Sequence, residues 1–197
     1  MKKIFRRINL FIVCAVLINT NVGNAQSFKI DPKSFNMTIN GTTNVHDFTT
    51  KVTQVNGEIV LNGPKQVQSL IVSIPVKSIK SGEKLMDTKT YEAFKADKYP
   101  LINFKLFEVS ALEISGEKIV VTLSGNLTMA GVTRKIQIKS TGVNSKTGTY
   151  DFKGSVSLKM TDFDMKPPTA MMGLMKVGDV ITLKYDATFY GEQLTIN

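Results

Sequence analysis

The chain offers few side chains that could carry out chemistry, and they are dispersed. His46 is the single histidine, and the single cysteine, Cys14, lies in the apolar start of the chain. Because His46 has neither a second histidine nor a later thiol to work with, it cannot complete a multi-histidine metal site or a cysteine–histidine nucleophile pair. We expect His46 to make a structural hydrogen bond or to contact a ligand. We predict no catalytic residue and no cofactor.

The acidic residues are equally poor candidates for a metal site. Asp162 and Asp164 are two residues apart, so an extended backbone would place both on one side. Two carboxylates are too few to specify a divalent cation, which takes six or more oxygen ligands. Asp47 and Asp87 have no partner for general-base chemistry, and surface or helix-capping positions suit them better. No metal is predicted, and the role of Asp162 and Asp164 stays open at this point.

The first 25 residues have the layout of a secretory signal peptide. Four basic residues end at Arg7, an apolar run covers 8–18, and the small-residue stretch 23–25 follows. The apolar run is too short to span a bilayer, and the small residues are typical of a cleavage site. We expect cleavage after Ala25, which leaves 26–197 as one periplasmic or secreted domain.

The charge pattern argues against a nucleic-acid partner. The first 25 residues carry four of the 25 basic side chains and none of the 16 acidic ones, so their removal lowers the net charge from +9 to +5. The remaining lysines are scattered, no basic run interleaves with aromatic residues, and the chain has no tryptophan. Such a surface is typical of a solvated domain, with transient contact to an anionic membrane surface as an open alternative.

Alternating apolar residues are the dominant pattern of the chain. From Ile119 to Met129 every second residue is apolar or glycine, with mainly polar residues between them. A period of two predicts a strand with one buried face and one wet face. We predict eight strands, near 28–40, 51–61, 68–76, 101–109, 118–128, 133–143, 149–160 and 180–190.

Eight antiparallel strands predict an all-β fold closed into a barrel, because closure removes exposed sheet edges. One short helix is expected to start near Asp87 or Thr88. An eight-stranded barrel is filled by side chains or holds one ligand. The small inward residues Gly125, Gly154 and Ala187 predict room for a ligand.

The predicted ligand-binding residues are inward side chains of this barrel, His46, and three of the methionines in the long connection 161–179. Methionine adapts to varied apolar shapes, and long connections tend to be functional, so this connection is expected to form a flap over the barrel mouth. The alternative, that its methionines plug the barrel end, stays open. Among the inward residues Tyr185 alone brings a hydroxyl. The full set is His46, Phe48, Phe104, Leu106, Leu123, Leu127, Met129, Leu158, Met160, Phe163, Met171, Met172, Met175, Leu183, Tyr185 and Phe189.

Several short motifs, in order along nearly the whole chain, carry a resemblance. They are GTTNVHDF at 41–48, KLMD at 84–87 with DKYPLINF at 97–104, GNLTMAGVTR at 125–134, TDF at 161–163 and VGDV at 177–180. Together they resemble the YceI-like family of lipocalin-like proteins. That family often has glycine after the Asp-Phe pair, where this chain has Asp164, so a second acid would lie near the expected pocket mouth.

The resemblance implies an extended eight-stranded lipocalin-like barrel around a long apolar pocket. It also implies export to the periplasm or beyond and a polyisoprenoid or other long-chain lipid, such as a quinone or a fatty amide, as ligand. Members are commonly dimers, which makes a homodimer an expectation for this chain.

Three functions remain from the sequence. The first is an exported carrier or scavenger of a long-chain apolar ligand (polyisoprenoid, quinone, fatty amide or fatty acid). The second is a hydrolase or isomerase acting on a lipid in the same pocket, and the third is a packed structural barrel without a ligand. One histidine and no later thiol argue against the enzyme, and the methionine-rich connection argues against the packed barrel. We predict the binding protein.

Overall fold

The computed structural model describes residues 25–63, 66–145 and 148–191. The predicted signal segment therefore lies, except for its last residue, outside the described residues. The elements are β1 (Ala25–Thr43), β2 (Asp47–Val52), β3 (Asn56–Asn62), β4 (Val67–Pro75), β5 (Ile79–Lys80), α1 (Lys84–Ala93), β6 (Leu101–Ser115), β7 (Lys118–Met129), β8 (Val132–Asn144), β9 (Thr149–Lys159), β10 (Thr169–Ala170) and β11 (Met175–Gly191). Within these ranges no helix has the length and apolar character needed to cross a bilayer.

Eight of the strands form a closed antiparallel barrel, which confirms the predicted fold class. Their order is β1-β3-β4-β6-β7-β8-β9-β11, and β11 pairs back onto β1. The closing pair runs from Phe28 opposite Gly191 to Thr43 opposite Val177. The three short strands extend one end: β2 pairs with β1, β5 with β2, and β10 with β11.

Two strand predictions were wrong in their extent. The strand expected over 51–61 is interrupted, because the Thr53 backbone N–H donates to the Ser78 carbonyl at 2.9 Å instead of to a barrel strand. The strand expected to end at 109 continues to Ser115 as β6. It contains extra residues at Phe107 and Ser110, each a β-bulge in the pairing with β7. Bulges shift the alternation of side chains, so the period of two cannot show that the strand continues.

Helix α1 begins at Lys84, earlier than the predicted start at Asp87 or Thr88. The Asp87 carboxylate lies inside the first turns, where it accepts hydrogen bonds from the Ser81 backbone N–H and hydroxyl, both at 2.7 Å. Burial by itself would raise the pKa of Asp87, but these bonds and the nearby Lys80 ammonium hold it below its ordinary value. The acid thus fastens the loop that enters the helix. Phe94, directly after the helix, is buried in the core.

The long connection 161–179 is divided into two parts with different roles. Its first part, with the turn before it, we call the plug segment (160–165). There Met160, Phe163 and Met165 are 4%, 1% and 2% exposed. Its second part, the flap segment (169–175), carries Met171 and Met172 at 66% and 107% exposure. The connection is therefore a core plug in its first part and a surface segment in its second.

Candidate functional site

A cavity of about 200 Å³ occupies the inside of the barrel. Its walls come from all eight barrel strands and from Phe94. Along β7 the lining runs from Ile119 to Met129, which corresponds to about 33 Å of strand. The lining is apolar except for the hydroxyls of Ser140, Tyr150 and Tyr185. The barrel cavity is therefore long and apolar, and none of its lining side chains carries a charge.

Half of the 16 predicted ligand-binding residues line the barrel cavity. They are Phe104, Leu123, Leu127, Met129, Leu158, Leu183, Tyr185 and Phe189. The prediction missed the walls contributed by β1, β3 and β4, among them Met37, Ile59 and Ile74, although the same period of two marks those strands. It also missed Ser140, which follows Ile136 and Ile138 at the inward spacing of β8.

A second cavity of about 150 Å³, which we call the mouth chamber, lies between α1 and the flap segment. Four more of the predicted residues line it: Phe48, Met160, Met171 and Met175. Ile39, Phe94 and Ile181 border both the mouth chamber and the barrel cavity. Unlike the barrel cavity, the mouth chamber has charged side chains in its wall, Glu83 and Lys89. The two cavities are therefore neighbours at this end of the barrel, and the outer one is the more polar.

Four predicted residues line neither cavity. His46 is exposed, and its backbone carbonyl accepts the Thr43 hydroxyl at 2.7 Å within the turn between β1 and β2. Met172 points into solvent. Phe163 is buried in the plug segment, and Leu106 packs against the core directly before a bulge of β6. His46 and Met172 therefore lie on the surface, and Phe163 and Leu106 belong to the packed part of the protein and not to the cavity lining.

The backbone of the flap segment is strained at two methionines. Met171 and Met172 have φ angles of 49° and 55°, the left-handed region that costs a residue with a Cβ roughly 1–2 kcal/mol. The Asn44 side chain holds the segment in place, because its amide donates to the Leu174 carbonyl at 2.9 Å and its oxygen accepts the Lys176 N–H at 2.8 Å. Met171 lies at the rim of the mouth chamber, whereas the neighbouring Met172 points into solvent.

The acids of the 161–179 connection act on the backbone. Asp164 has a φ of 52°, a conformation that favours glycine and that aspartate tolerates. This conformation explains how Asp164 can stand where the YceI-like motif often has glycine. Asp179 accepts the Thr161 hydroxyl at 2.7 Å and its N–H at 2.9 Å, and these bonds lower the pKa of Asp179. Among the described residues no group of three or more metal-ligating side chains occurs.

Inward glycines accommodate aromatic rings of the barrel wall, which corrects the expectation that they leave room for a ligand. A Cβ built on Gly125 would lie 2.3 Å from a ring carbon of Phe104, and one on Gly154 would lie 2.3 Å from the Tyr185 hydroxyl. The neighbouring rings therefore fill the space above both glycines. Ala187 alone of the three small residues lines the cavity directly.

Two hydroxyl groups of the cavity lining form a hydrogen bond with each other. The hydroxyls of Ser140 and Tyr185 are 2.5 Å apart, and Ser140 is 3% exposed. Burial raises the pKa of Tyr185, and the hydrogen bond with Ser140 offsets part of that rise. Tyr185 therefore stays a neutral hydroxyl at physiological pH.

Solved structures share this barrel. BcnA of Burkholderia cenocepacia is 20% identical, with 81% of this chain and 98% of that chain covered and a TM-score of 0.63. A polyisoprenoid-binding domain from Saccharophagus degradans, implicated in plant cell wall breakdown, is 11% identical, with 84% and 98% covered and a TM-score of 0.67. The YceI protein of Campylobacter jejuni is 23% identical, with 73% and 84% covered and a TM-score of 0.57. At these identities the likeness establishes the fold.

The family follows from the sequence itself. No curated protein matches the chain significantly. The sequence profile of the YceI-like domain matches residues 28–189, which span the barrel from the first strand to the last. The chain therefore belongs to the YceI-like family.

Proposed function

We propose that the protein is an exported binding protein that holds a long-chain apolar ligand in the barrel cavity as a carrier or scavenger. The candidates are a polyisoprenoid, a quinone, a fatty amide or a fatty acid. The observation that carries the proposal is the uncharged, apolar lining contributed by all eight barrel strands. The likeness of the protein's fold to that of a polyisoprenoid-binding domain supports the same class of ligand.

Burial of hydrocarbon supplies enough free energy for such binding. Each methylene removed from water contributes about 0.8 kcal/mol. A few five-carbon isoprene units would exceed ordering costs of roughly 4–15 kcal/mol and give about micromolar affinity. The barrel then needs only shape and an apolar wall, and polar groups serve to orient the ligand.

The chemistry of the lining favours binding over a lipid hydrolase or isomerase. Its side chains include three hydroxyls and neither an acid nor an imidazole that could take a proton from them. The cavity itself argues against the packed structural barrel. We accordingly propose that the protein is not an enzyme. The scattered lysines and the lack of tryptophan support the further proposal that it does not bind nucleic acid.

Export and partners complete the proposal. The basic, apolar and small-residue order of residues 1–25 supports a cleaved signal and a periplasmic or secreted location. We expect the purified exported protein to begin at Gln26 on N-terminal sequencing, and an intact Met1 or a lipidated Cys14 would contradict this. A homodimer and transient contact with a membrane surface belong to the same proposal, the latter because the proposed ligand is a lipid.

Native mass spectrometry of freshly purified protein, followed by lipid extraction, tests the function. We expect about one long-chain lipid per barrel, and the same spectra count the chains in the assembly. Ile138→Trp would place an indole in the cavity, whereas Lys139→Trp places the same group on the outer, exposed face of β8. Loss of lipid is expected in the first variant only. Protein that retains no lipid and takes up none, or an Ile138→Trp variant as loaded as the wild type, would contradict the proposal.

A further inference from the structure

The Ser140–Tyr185 hydroxyl pair is built by three strands. Ser140 belongs to β8 and Tyr185 to β11, and β9 lies between them. Gly154 of β9 is the residue opposite both of them. Because a Cβ at this position would lie 2.3 Å from the Tyr185 hydroxyl, glycine is what allows the ring to cross β9 and reach Ser140.

One hydroxyl hydrogen of the pair takes no part in the hydrogen bond between Ser140 and Tyr185. Two hydroxyls carry two hydrogens, and the hydrogen bond between Ser140 and Tyr185 consumes one of them, whichever residue donates. The hydrogen bonds of the described residues include no further acceptor for either hydroxyl. One O–H hydrogen is therefore left without an acceptor among the described residues, beside an otherwise apolar lining, and leaving a buried donor without an acceptor costs free energy.

The position of the pair is midway along the barrel. Ile181 borders the mouth chamber, and Tyr185 lies four residues further along β11, about 13 Å of strand deeper. Phe189, which still lines the cavity, is another four residues on. The remaining hydroxyl of the lining, that of Tyr150, lies near the opposite end, where its ring stacks edge-on against Phe28. A polar group meeting Tyr185 is thus enclosed by apolar wall on both sides.

The absence of charge in the lining restricts what that polar group can be. No lysine, arginine or histidine is among the residues that line the barrel cavity, so an ionised carboxylate there would be buried without a counter-ion. A pure hydrocarbon would leave the spare O–H without an acceptor. A neutral carbonyl oxygen accepts the hydrogen and brings no charge.

We propose that the Ser140–Tyr185 pair binds the carbonyl oxygen of an uncharged lipid, as in an isoprenoid quinone or a fatty amide, about midway along the barrel. This inference rests on the proposed function and narrows its ligand class. Hydrocarbons and ionised fatty acids bind less tightly than carbonyl lipids of the same chain. The carbonyl lies inside the barrel, and the charged residues of the mouth chamber do not contact it.

Matched probes test this inference by fluorescence displacement on the full mature chain. One pair is a prenylated quinone and the prenylated benzene with the same tail, and the other is a fatty amide and its fatty acid at neutral pH. The test variant is Ser140→Ala/Tyr185→Phe, which removes both hydroxyls together. The control is Ser157→Ala/Thr182→Val, which removes a hydroxyl pair 2.9 Å apart on the outer face of β9 and β11.

We expect the wild type to bind the quinone and the amide at least tenfold more tightly than their partners. The test variant should lose about tenfold affinity for the quinone and the amide and change less than twofold for the hydrocarbon. The control variant should bind all four probes as the wild type does. Circular dichroism verifies that both variants are folded.

Each other result is decisive. Equal affinity of the wild type for quinone and hydrocarbon overturns the inference and leaves the proposed function standing. Equal weakening of all probes in a folded test variant shows that the hydroxyl pair is structural, which also overturns it. If no probe binds the wild type, the proposed function itself fails. Should the test variant not fold, the wild-type preference for quinone over hydrocarbon decides, together with Tyr185→Phe and Ser140→Ala tested singly.

Discussion

Truncation of Met165 measures how strongly the plug segment contributes to stability. The Met165 side chain is 2% exposed and belongs to the main hydrophobic core. Met165→Ala removes three heavy atoms beyond the Cβ, and buried Met-to-Ala changes cost about 2–5 kcal/mol in the free energy of unfolding. For a domain of this size, about 3 kcal/mol lowers the melting temperature by roughly 6–12 °C.

The flap segment provides the matched control. Met172→Ala removes the same atoms from a side chain that is fully exposed, so the free energy of unfolding should change by no more than about 0.5 kcal/mol. Thermal denaturation followed by circular dichroism compares the two variants with the wild type. Because Met165 lines neither cavity, the lipid content of its folded fraction should equal that of the wild type.

Two results of this comparison would refute the division of the connection into a plug segment and a flap segment. If Met165→Ala melts within 2 °C of the wild type, by the order of magnitude of such shifts, its burial contributes nothing. If instead Met172→Ala is the destabilising change, the flap segment is packed and the plug is not. Loss of lipid in folded Met165→Ala would place Met165 in the binding site.

The remaining predictions concern the mouth, the wall and the hydroxyl. Replacing Met171, Met172 and Met175 together by Ser should weaken lipid retention tenfold or more, ~1.4 kcal/mol, in native mass spectrometry, with an unchanged melting temperature; unaltered retention would exclude a role for the rim. Gly125→Ala places a Cβ 2.3 Å from a ring carbon of Phe104 and 2.8 Å from the Lys105 carbonyl oxygen. Urea denaturation should therefore show a loss of about 1–3 kcal/mol in the free energy of unfolding, and an unchanged value would contradict this packing. Burial raises the pKa of Tyr185 above its ordinary value of 10.0 in the folded protein. Above about pH 10 the tyrosine therefore ionises in the unfolded chain first, so the contribution of the neutral hydroxyl to stability is complete at lower pH and is lost as the pH rises. The stability difference between wild type and Tyr185→Phe should therefore shift against the wild type above about pH 10 in chemical denaturation, and a pH-independent difference would contradict the burial of this hydroxyl.

The barrel was accessible to prediction because its signal is local. Alternation along β7 identifies the face that is buried, and the same pattern repeated along the chain gives the number of barrel strands. The signal fails where the backbone departs from a regular pleat. The bulges at Phe107 and Ser110 shift the alternation in β6, and the excursion at Thr53 divides one predicted strand into two.

Half of the predicted ligand-binding residues line the barrel cavity, for the same reason. In a regular strand every second side chain points inward, and this is sufficient to place Leu127 or Phe189 in the lining. It is not sufficient for Leu106, which packs within the wall, or for methionines outside regular strands. Met165 and Met172 are alike in sequence terms, and only their packing shows that one is buried and the other lies in solvent.

The sequence by itself determined the all-β barrel, the inward faces of its strands and the YceI-like family, since these follow from local periodicity and from motifs read along the chain. Only the tertiary structure decided which distant residues meet. Ser140 and Tyr185 are 45 positions apart, and they touch because the register of β8, β9 and β11 places Gly154 between them. Periodicity specifies the side of a strand on which a residue lies, whereas pairing register specifies its neighbours across the sheet, and register is set by contacts remote in sequence.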